Sequence, residues 1–387
     1  MGSVRKRESG RWEARYRDIA DRQRGKTFRT KREAEQFLER VGADIQRGDW
    51  IDPQAARTTF GAWATDWLAT TVHLREGTKA GYESLLDNHI LPAFGSVPVG
   101  RIDKLAVKAW VAERVKAGMG AGTVRNAFAV LRQVLDAAVD GGGLRRNPCH
   151  GVDLPRPKRE EMHFASHDDI ASLAQAVEHP VDARGRPRGD YPAYGLFVLL
   201  DAYTGLRFGE MAALRRKRVD ILRRRIEVAE SVDELNGRLI YTGTKTYETR
   251  SVPVPAFLAE SLGAHMTTVA ASPTSLMFTS PAGEPLRNGN FVARHFKPAV
   301  RQAGLPEGFR FHDLRHTHAA FLVAEGAHPL AIMKRLGHSS IQVTHDRYGH
   351  LFPHLEAGLT DALDVAGRAA QPKEVVVSRR VGHFKVT

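Results

Sequence analysis

One cysteine, Cys149, stands in a chain of 387 residues. That excludes an internal disulfide framework and fits a reducing compartment. No apolar run approaches the ~18 residues a membrane helix needs, so no membrane partner is expected. The opening MGSVRKRESGRW has no apolar h-region and does not read as a secretory signal. A cytoplasmic place, close to the nucleoid of a bacterial host, is the expectation. Acidic residues are in deficit: 44 Asp+Glu against 57 Lys+Arg, a net charge of +13. Such a surplus favours a polyanionic partner, although charge alone also fits a merely basic soluble protein. Hydrophobic residues reach 42%, enough for packed cores, and the length suits two or three domains.

What is present concentrates between Arg310 and His350, in RFHDLRHTHAAFLVAEGAHPLAIMKRLGHSSIQVTHDRYGH. A first helix is expected through Leu314, Ala319, Phe321 and Leu322, ending at Gly326, a residue suited to the left-handed C′ position. A second opens at Pro329, where a missing N–H needs no partner, and ends at Gly337. Leu330, Met333 and Leu336 are expected as its buried face. His312, Arg315, His338 and Tyr348 sit on these helices and the turns around them. The set suits phosphodiester chemistry: guanidinium grips non-bridging oxygens, imidazoles donate hydrogen bonds, a phenol attacks.

HDLRH, then LGHSS, then RYGHL resembles the C-terminal signature of the tyrosine recombinases, the phage-integrase family. TGLRFGE at 204–210 is similar to that family's first-arginine motif, and TGTKT at 242–246 to the hairpin that carries its lysine. Six positions in the family's order make the resemblance specific. It implies Arg207 and Arg315 on the scissile phosphate, Lys245 as acid to the leaving 5′ oxygen, and Tyr348 as nucleophile. His312 is then the acid/base partner, His338 a donor to the phosphate, and Glu210 the group orienting Arg207. Attack by Tyr348 would leave a covalent 3′-phosphotyrosine, so neither metal nor ATP nor any other cofactor is expected. The implied partners are double-stranded DNA attachment sites and three further copies in a homotetramer on DNA. A host DNA-bending protein and an excision factor are implied as accessories. Order in the chain resembles the arm-domain-containing integrases of temperate phages or integrative elements of actinobacteria.

The fold class expected is multidomain: an α+β arm-binding module, an all-α core-binding bundle, and a mixed α/β catalytic domain, mainly helical with a small antiparallel sheet. Residues 1–57 form the first unit. Trp12, Ala14 and Tyr16 alternate with charged residues as in a half-buried strand. DRQRGK at 21–26 reads as a turn before a second strand. Thr30 and Glu33 make a capping box for a helix with Ala34, Phe37, Leu38 and Val41 on one face. Arg11, Arg15 and Arg17 on one strand face could lie in a DNA groove, or the face could simply be solvated.

GDWIDPQAART at 48–58 reads as a linker, and 58–145 as four helices, with Thr59, Thr78, Asp103 and Thr123 as starts. Lys79, Arg125 and Arg132 could face phosphates or only solvent. The Trp residues read as core. Residues 146–161, within a Gly- then Pro-rich stretch, form the linker to a catalytic domain at 162–365. The linker either tracks a DNA backbone or is an unstructured spacer. Ser166 can cap a helix, and the polar stretch around 180–192 reads as an exposed insertion. A tail follows at 366–387, small and flexible at first, then strand-like at 374–378. It is either a strand that adds to a sheet, in trans or in cis, or a frayed end.

Two rivals use the same residues. His312 and His316 at i, i+4 imitate a zinc-binding HxxxH helix, but Asp313 stands where a Glu base belongs and Arg315 would repel a dication. A type IB topoisomerase shares the tyrosine, arginine and lysine chemistry; the LGHSS box and the N-terminal module favour a recombinase. A non-catalytic repressor would explain the charge but not the six positions. The remaining histidines, His316, His318, His345 and His350 among them, are expected to be structural.

Overall fold

The computed structural model describes residues 2–18, 21–157, 162–182, 184–243, 249–338, 340–351 and 354–370, with backbone alone at 350 and 354–359. The chain divides into two compact units, residues 1–160 and 161–387.

The first unit begins with an antiparallel sheet of β1 (Ser3–Lys6), β2 (Trp12–Arg17) and β3 (Gln23–Phe28), in the order β1-β2-β3. The sequence reading lacked β1 and placed the turn at 21–26. The turn lies earlier because Asp18 accepts from the Arg22 N–H and Asp21 takes φ +58°, so Gln23–Lys26 already pair with β2. Helix α1 (Lys31–Gln46) starts at the capping box of Thr30 and Glu33 and packs on the sheet, with Ala34 and Val41 buried.

Residues 48–58 are no free linker. Trp50 meets Tyr16 edge-on, Asp52 bonds Arg24, and the Asp52 N–H donates to the Gly142 carbonyl at 2.9 Å. The bundle comprises α2 (Phe60–Thr70), α3 (Glu76–Leu85), a π turn at Leu86–Ile90, α4 (Leu91–Phe94), α5 (Lys104–Lys116) and α6 (Ala121–Asp140). Thr59 and Asp103 cap as expected, through Ala62 and Ala106 N–H. Thr78 does not cap, since α3 already begins at Glu76 behind Arg75. Helix α6 likewise starts at Ala121, ahead of Thr123. Trp110 is buried and donates to the His89 carbonyl at 3.1 Å, so its indole belongs to the core. Part of the expected second linker packs on the same bundle. Asn147 bonds Arg132 O and Asp136, and Cys149 is buried, which pushes its thiol up to about 12.

The second unit holds α7 (His167–Glu178), α8 (Pro192–Thr204), α9 (Phe208–Ala212), β4 (Val219–Asp220), β5 (Arg225–Val228), β6 (Glu230–Leu235), β7 (Arg238–Gly243) and β8 (Arg250–Pro253). Helices α10 (Ala256–Thr268), α11 (Asn288–Phe291), α12 (Lys297–Gln302), α13 (Phe311–Ala324), α14 (Pro329–Leu336), α15 (Ile341–Tyr348) and α16 (His354–Ala370) follow. Strands pair as β4-β5-β8 and as a β6-β7 hairpin turned by Asn236 and Gly237, both at positive φ. Ser166 caps α7 with Asp169 in a capping box.

An aromatic cluster fixes the site's two main motifs. Phe197 of α8 has Phe208, Phe291 and Phe311 around it at 5.2, 5.3 and 5.7 Å between ring centres. Phe208 and Phe311 pack edge to face at 5.1 Å. Each is the neighbour in sequence of a predicted catalytic residue, Arg207 and His312. Such pairs add about 1 kcal/mol each beyond burial, so one core sets both motifs.

Two expectations at the C-terminal end change. Leu330 is 41% exposed and Ile332 takes its place beside Leu336, because the stripe of α14 faces Val323 and Tyr348. The tail is helical through Ala370, where the helix formers of AGRAA continue α16 and Arg368 pairs with Asp364 at 2.8 Å. The strand-like 374–378 lies outside the described residues. No described helix is long and apolar enough to cross a membrane.

Candidate active site

Helix α8 ends at Gly205, which takes φ +67°; an added Cβ would stand 2.6 Å from Leu336 and 2.8 Å from His318. That turn delivers Arg207 as the residue before α9. Glu210, one turn on, accepts from the Arg207 N–H and from its guanidinium, both at 2.9 Å. Glu210 was expected to orient Arg207 and stands in contact with it. A second partner was not expected: Arg250, first residue of β8, donates to both Glu210 oxygens, at 2.8 and 2.5 Å. Burial would raise the Glu210 carboxyl, but the Arg250 bonds and charge, with Arg207, hold it down at about 2. The carboxylate therefore lies between two guanidiniums, and the trio keeps one net positive charge.

Arg315 is buried in α13, with 2% of its surface exposed. Its two terminal nitrogens donate to the carbonyls of Gly205 and Leu336, where α8 and α14 end. Helix C-termini carry partial negative charge, so a guanidinium bridging two of them is favoured. Arg207 donates to the next carbonyl, Gly337 O, at 3.2 Å. Both arginines thus reach consecutive carbonyls just before His338. Near them lies Asp201, fully buried, with one oxygen that has no hydrogen-bond partner among the described residues. Burial raises its carboxyl well above the ordinary range, and Arg315 only partly opposes that.

Tyr348 closes α15, and its ring is completely buried among Ala319, Val323, Ile332 and Leu336. Burial raises its phenol above 10, opposed by Arg315 and Arg347. His338 stacks parallel to the ring at 6.4 Å, and its Nδ1 is engaged by Thr344 at 2.9 Å, which leaves Nε2 for a ligand. The Tyr348 hydroxyl lies 2.7 Å from Nδ1 of His316. That histidine, expected to be structural, stands one helical turn beyond His312 and faces inward to α15. His312 is exposed, meets His316 edge-on at 4.8 Å, and lines a cleft of about 550 Å³ with Arg207, Gly209, Val232 and Asn288. Lys245 lies outside the described residues, between β7 and β8.

The other expected contact residues are placed less simply. Arg15 pairs with Glu13 at 3.0 Å and Arg17 with Asp21 at 2.6 Å, so acids already occupy much of that strand face; Arg11 is exposed. Lys79 is exposed on α3, Arg125 reaches Pro155 O at 3.4 Å, and Arg132 pairs with Asp136 at 3.7 Å.

Three family models cover most of the chain. The phage integrase family matches residues 164–354, the phage integrase N-terminal domain 1–47, and the phage integrase N-terminal SAM-like domain 59–113. The chain belongs to the phage integrase family. It is a DNA-binding, site-specific tyrosine recombinase, and a topoisomerase reading fits these findings no better. The integrase is 29% identical over 352 residues to a putative prophage phiRv2 integrase of Mycobacterium tuberculosis, covering 88% of this chain and 89% of the relative. Its fold is similar to the Tn1549 transposon integrase in complex with circular intermediate DNA, at TM-score 0.66 and 20% identity over 75% of this chain and 95% of that one. A lambda integrase tetramer bound to a Holliday junction gives 0.54 at 20% identity, covering 87% and 95%.

The buried histidines predict acid sensitivity. Burial lowers His316 to about 4, and His318 and His338 to about 3, with arginine charge adding to the effect. Unfolded, each would titrate near 6.5. Between those values the unfolded chain binds more protons, so stability is present above about pH 6.5 and is lost as pH falls. His316 and His318, the two deepest, together remove roughly 4 kcal/mol between pH 6.5 and 4.5. Urea midpoints of the full chain across that range should fall accordingly, and less steeply for His318→Gln. A midpoint independent of pH would refute neutral burial.

Proposed function

We propose that Tyr348 attacks the scissile phosphate of a core attachment site while Arg207 and Arg315 hold its non-bridging oxygens. The observation that carries this is convergence: both arginines reach the carbonyls at 336 and 337, and the next residue, His338, stacks on the Tyr348 ring. Charge builds on the oxygens in the pentacoordinate transition state, where fixed guanidiniums act most strongly. His338 donates through Nε2, and His312 lines the cleft beside Arg207. Lys245 protonates the leaving 5′ oxygen, a role resting on the resemblance of TGTKT. The Tyr348 Oη–P bond forms as the P–O5′ bond breaks, giving a 3′-phosphotyrosine. A 5′ hydroxyl of the partner duplex reverses the step and exchanges strands, so the bond energy is conserved without ATP or metal. The lambda tetramer on its junction supports a homotetramer here, acting on the chromosome in the cytoplasm with a host DNA-bending protein and an excision factor. Trapping on a nicked core-site duplex, digestion and mass mapping test the reading. An adduct at Tyr348 through a 3′ phosphate is expected; a 5′ linkage or another residue overturns it.

The same reading makes residues 1–57 an arm-site reader, 58–145 the core-binding bundle and 162–365 the catalytic domain, with Arg11, Arg15, Arg17, Lys79, Arg125 and Arg132 as phosphate contacts. DNA would have to displace Glu13 and Asp21 from the arm face. The cut best placed to test this follows residue 47, because Asp52 is bonded to Gly142 of the bundle region. Truncation there should leave core-site cleavage within about threefold while distal-site binding disappears. Binding of the full chain should weaken steeply with salt, as released counterions require. Unaltered distal binding by the truncated chain would remove the arm assignment.

A further inference from the structure

The bond between His316 and Tyr348 has a chemical direction. With the neutral ring's own proton on Nε2, Nδ1 of His316 accepts from the Tyr348 hydroxyl at 2.7 Å; a phenol oxygen also accepts, so the direction is that of this tautomer. We propose that His316, and not His312, takes the proton of Tyr348 as the phenol attacks, and returns it when the phosphotyrosine is resealed. This deepens the nucleophile assignment above and depends on it.

Geometry favours His316 over its neighbour. A general base must stand within hydrogen-bond reach of the proton it removes, and His316 does at 2.7 Å. His312 instead faces the cleft with Arg207 and touches His316 only edge-on. Burial and the charges around His316 together act on its protonation. Arg310, Asp313, Arg315 and His312 face it from α13 and the residue before it, Arg347 from α15, and His338 from the turn after α14. Burial first, and then Arg347, Arg310 and Arg315 against the single carboxylate Asp313, lower the ring to about 4, so it is neutral in the free protein. A DNA phosphate entering between Arg207 and Arg315 adds the missing negative charge just as the proton moves.

The step balances. The Tyr348 Oη–H bond breaks as Oη–P forms, the proton passes to Nδ1, and the departing O5′ takes its proton from the general acid. On resealing, a 5′ hydroxyl attacks phosphorus, Tyr348 leaves, and His316 protonates it. No external acid, base or cofactor is consumed.

Single-turnover cleavage of a nicked core-site duplex by the full chain, followed from pH 6.5 to 9.5, tests the proposal. His316→Asn is the informative variant, because its Oδ1 can stand where Nδ1 stood and hold the phenol without accepting a proton. Cleavage should slow about 10²-fold at pH 7. It should then recover about tenfold per pH unit, because hydroxide must remove the phenol proton, whereas the natural chain changes little across the range. His316→Ala should show the same slope, and matched thermal midpoints show which variants keep the fold. His312→Asn should keep the shallow profile. A His316→Asn rate equal to that of the natural chain overturns the proposal. So does a slowed variant with a shallow profile, which would make the residue structural, or the steep slope appearing in His312→Asn. An adduct formed by Tyr348→Phe would instead overturn the nucleophile assignment on which the proposal rests.

Discussion

Tyr348→Phe should bind core-site DNA within about threefold of the natural chain and form no covalent adduct, a loss of cleavage beyond about 10⁴-fold. The substitution removes one oxygen and nothing else. The ring stays buried against Val323, Ile332 and Leu336, so α15 remains docked. What changes is that His316 Nδ1 loses its partner inside the protein. A buried acceptor left unpaired costs about 1–2 kcal/mol, so the thermal midpoint should drop by only a few degrees. Binding is carried by the cations, and among the described residues the lost oxygen is bonded to His316 and not to an arginine or lysine. Gel-shift titration and adduct trapping on the same nicked duplex separate the two effects. Adduct formation by the variant would show that another residue attacks; loss of binding would show that α15 had moved.

Where this site could be read in the sequence, the contacts were local. Gly205, Arg207 and Glu210 are three turn and cap positions within six residues, and a capping contact at i, i+3 follows from helix geometry alone. Gly326, Pro329 and Gly337 likewise bounded α14 because each suits one backbone position. His316 and Tyr348 stand 32 residues apart, and their bond depends on how α15 lies across α13. Spacing cannot give that, although His316 on the inward side of a helix ending in Ala319 and Val323 was a visible cue. Arg250 hid for another reason: it follows the lysine motif at the start of a strand, where an arginine reads as solvated. Its target, Glu210, lies 40 residues back on another element. In the arm module, the alternation of β2 was plain, but the pairing of Arg7 and Arg15 with the buried Glu13 depends on β1, which carries no apolar alternation of its own.

Arg315→Lys should lower cleavage about 10³-fold and stability by about 2 kcal/mol, while leaving the chain's charge unchanged. The reason is the number and direction of donors. Arg315 spans the ends of α8 and α14, one terminal nitrogen on each carbonyl, and still has N–H groups on the outer edge of the fork. A lysine places one nitrogen where the guanidinium spreads over three. It can satisfy Gly205 O or Leu336 O, or reach a phosphate, but not all of them together. One carbonyl is then left unpaired in the interior, which accounts for the stability loss. The turn at Gly337 loses a restraint, so His338 and the α15 segment behind it drift from the arginine pair. Asp201 sets the contrast with Arg315→Ala. With no cation above it, burial and the Glu210 charge both push its carboxyl up, two helix-end carbonyls lose their donor, and the loss of stability should exceed that of the lysine variant. For the lysine variant, affinity for the nicked duplex should stay within about fivefold, since one cation is retained and the other contacts are untouched. The deficit should therefore appear in the single-turnover rate. Cleavage within tenfold of the natural chain would mean that the fork of Arg315 holds the two helix ends and does not engage the phosphate in the transition state.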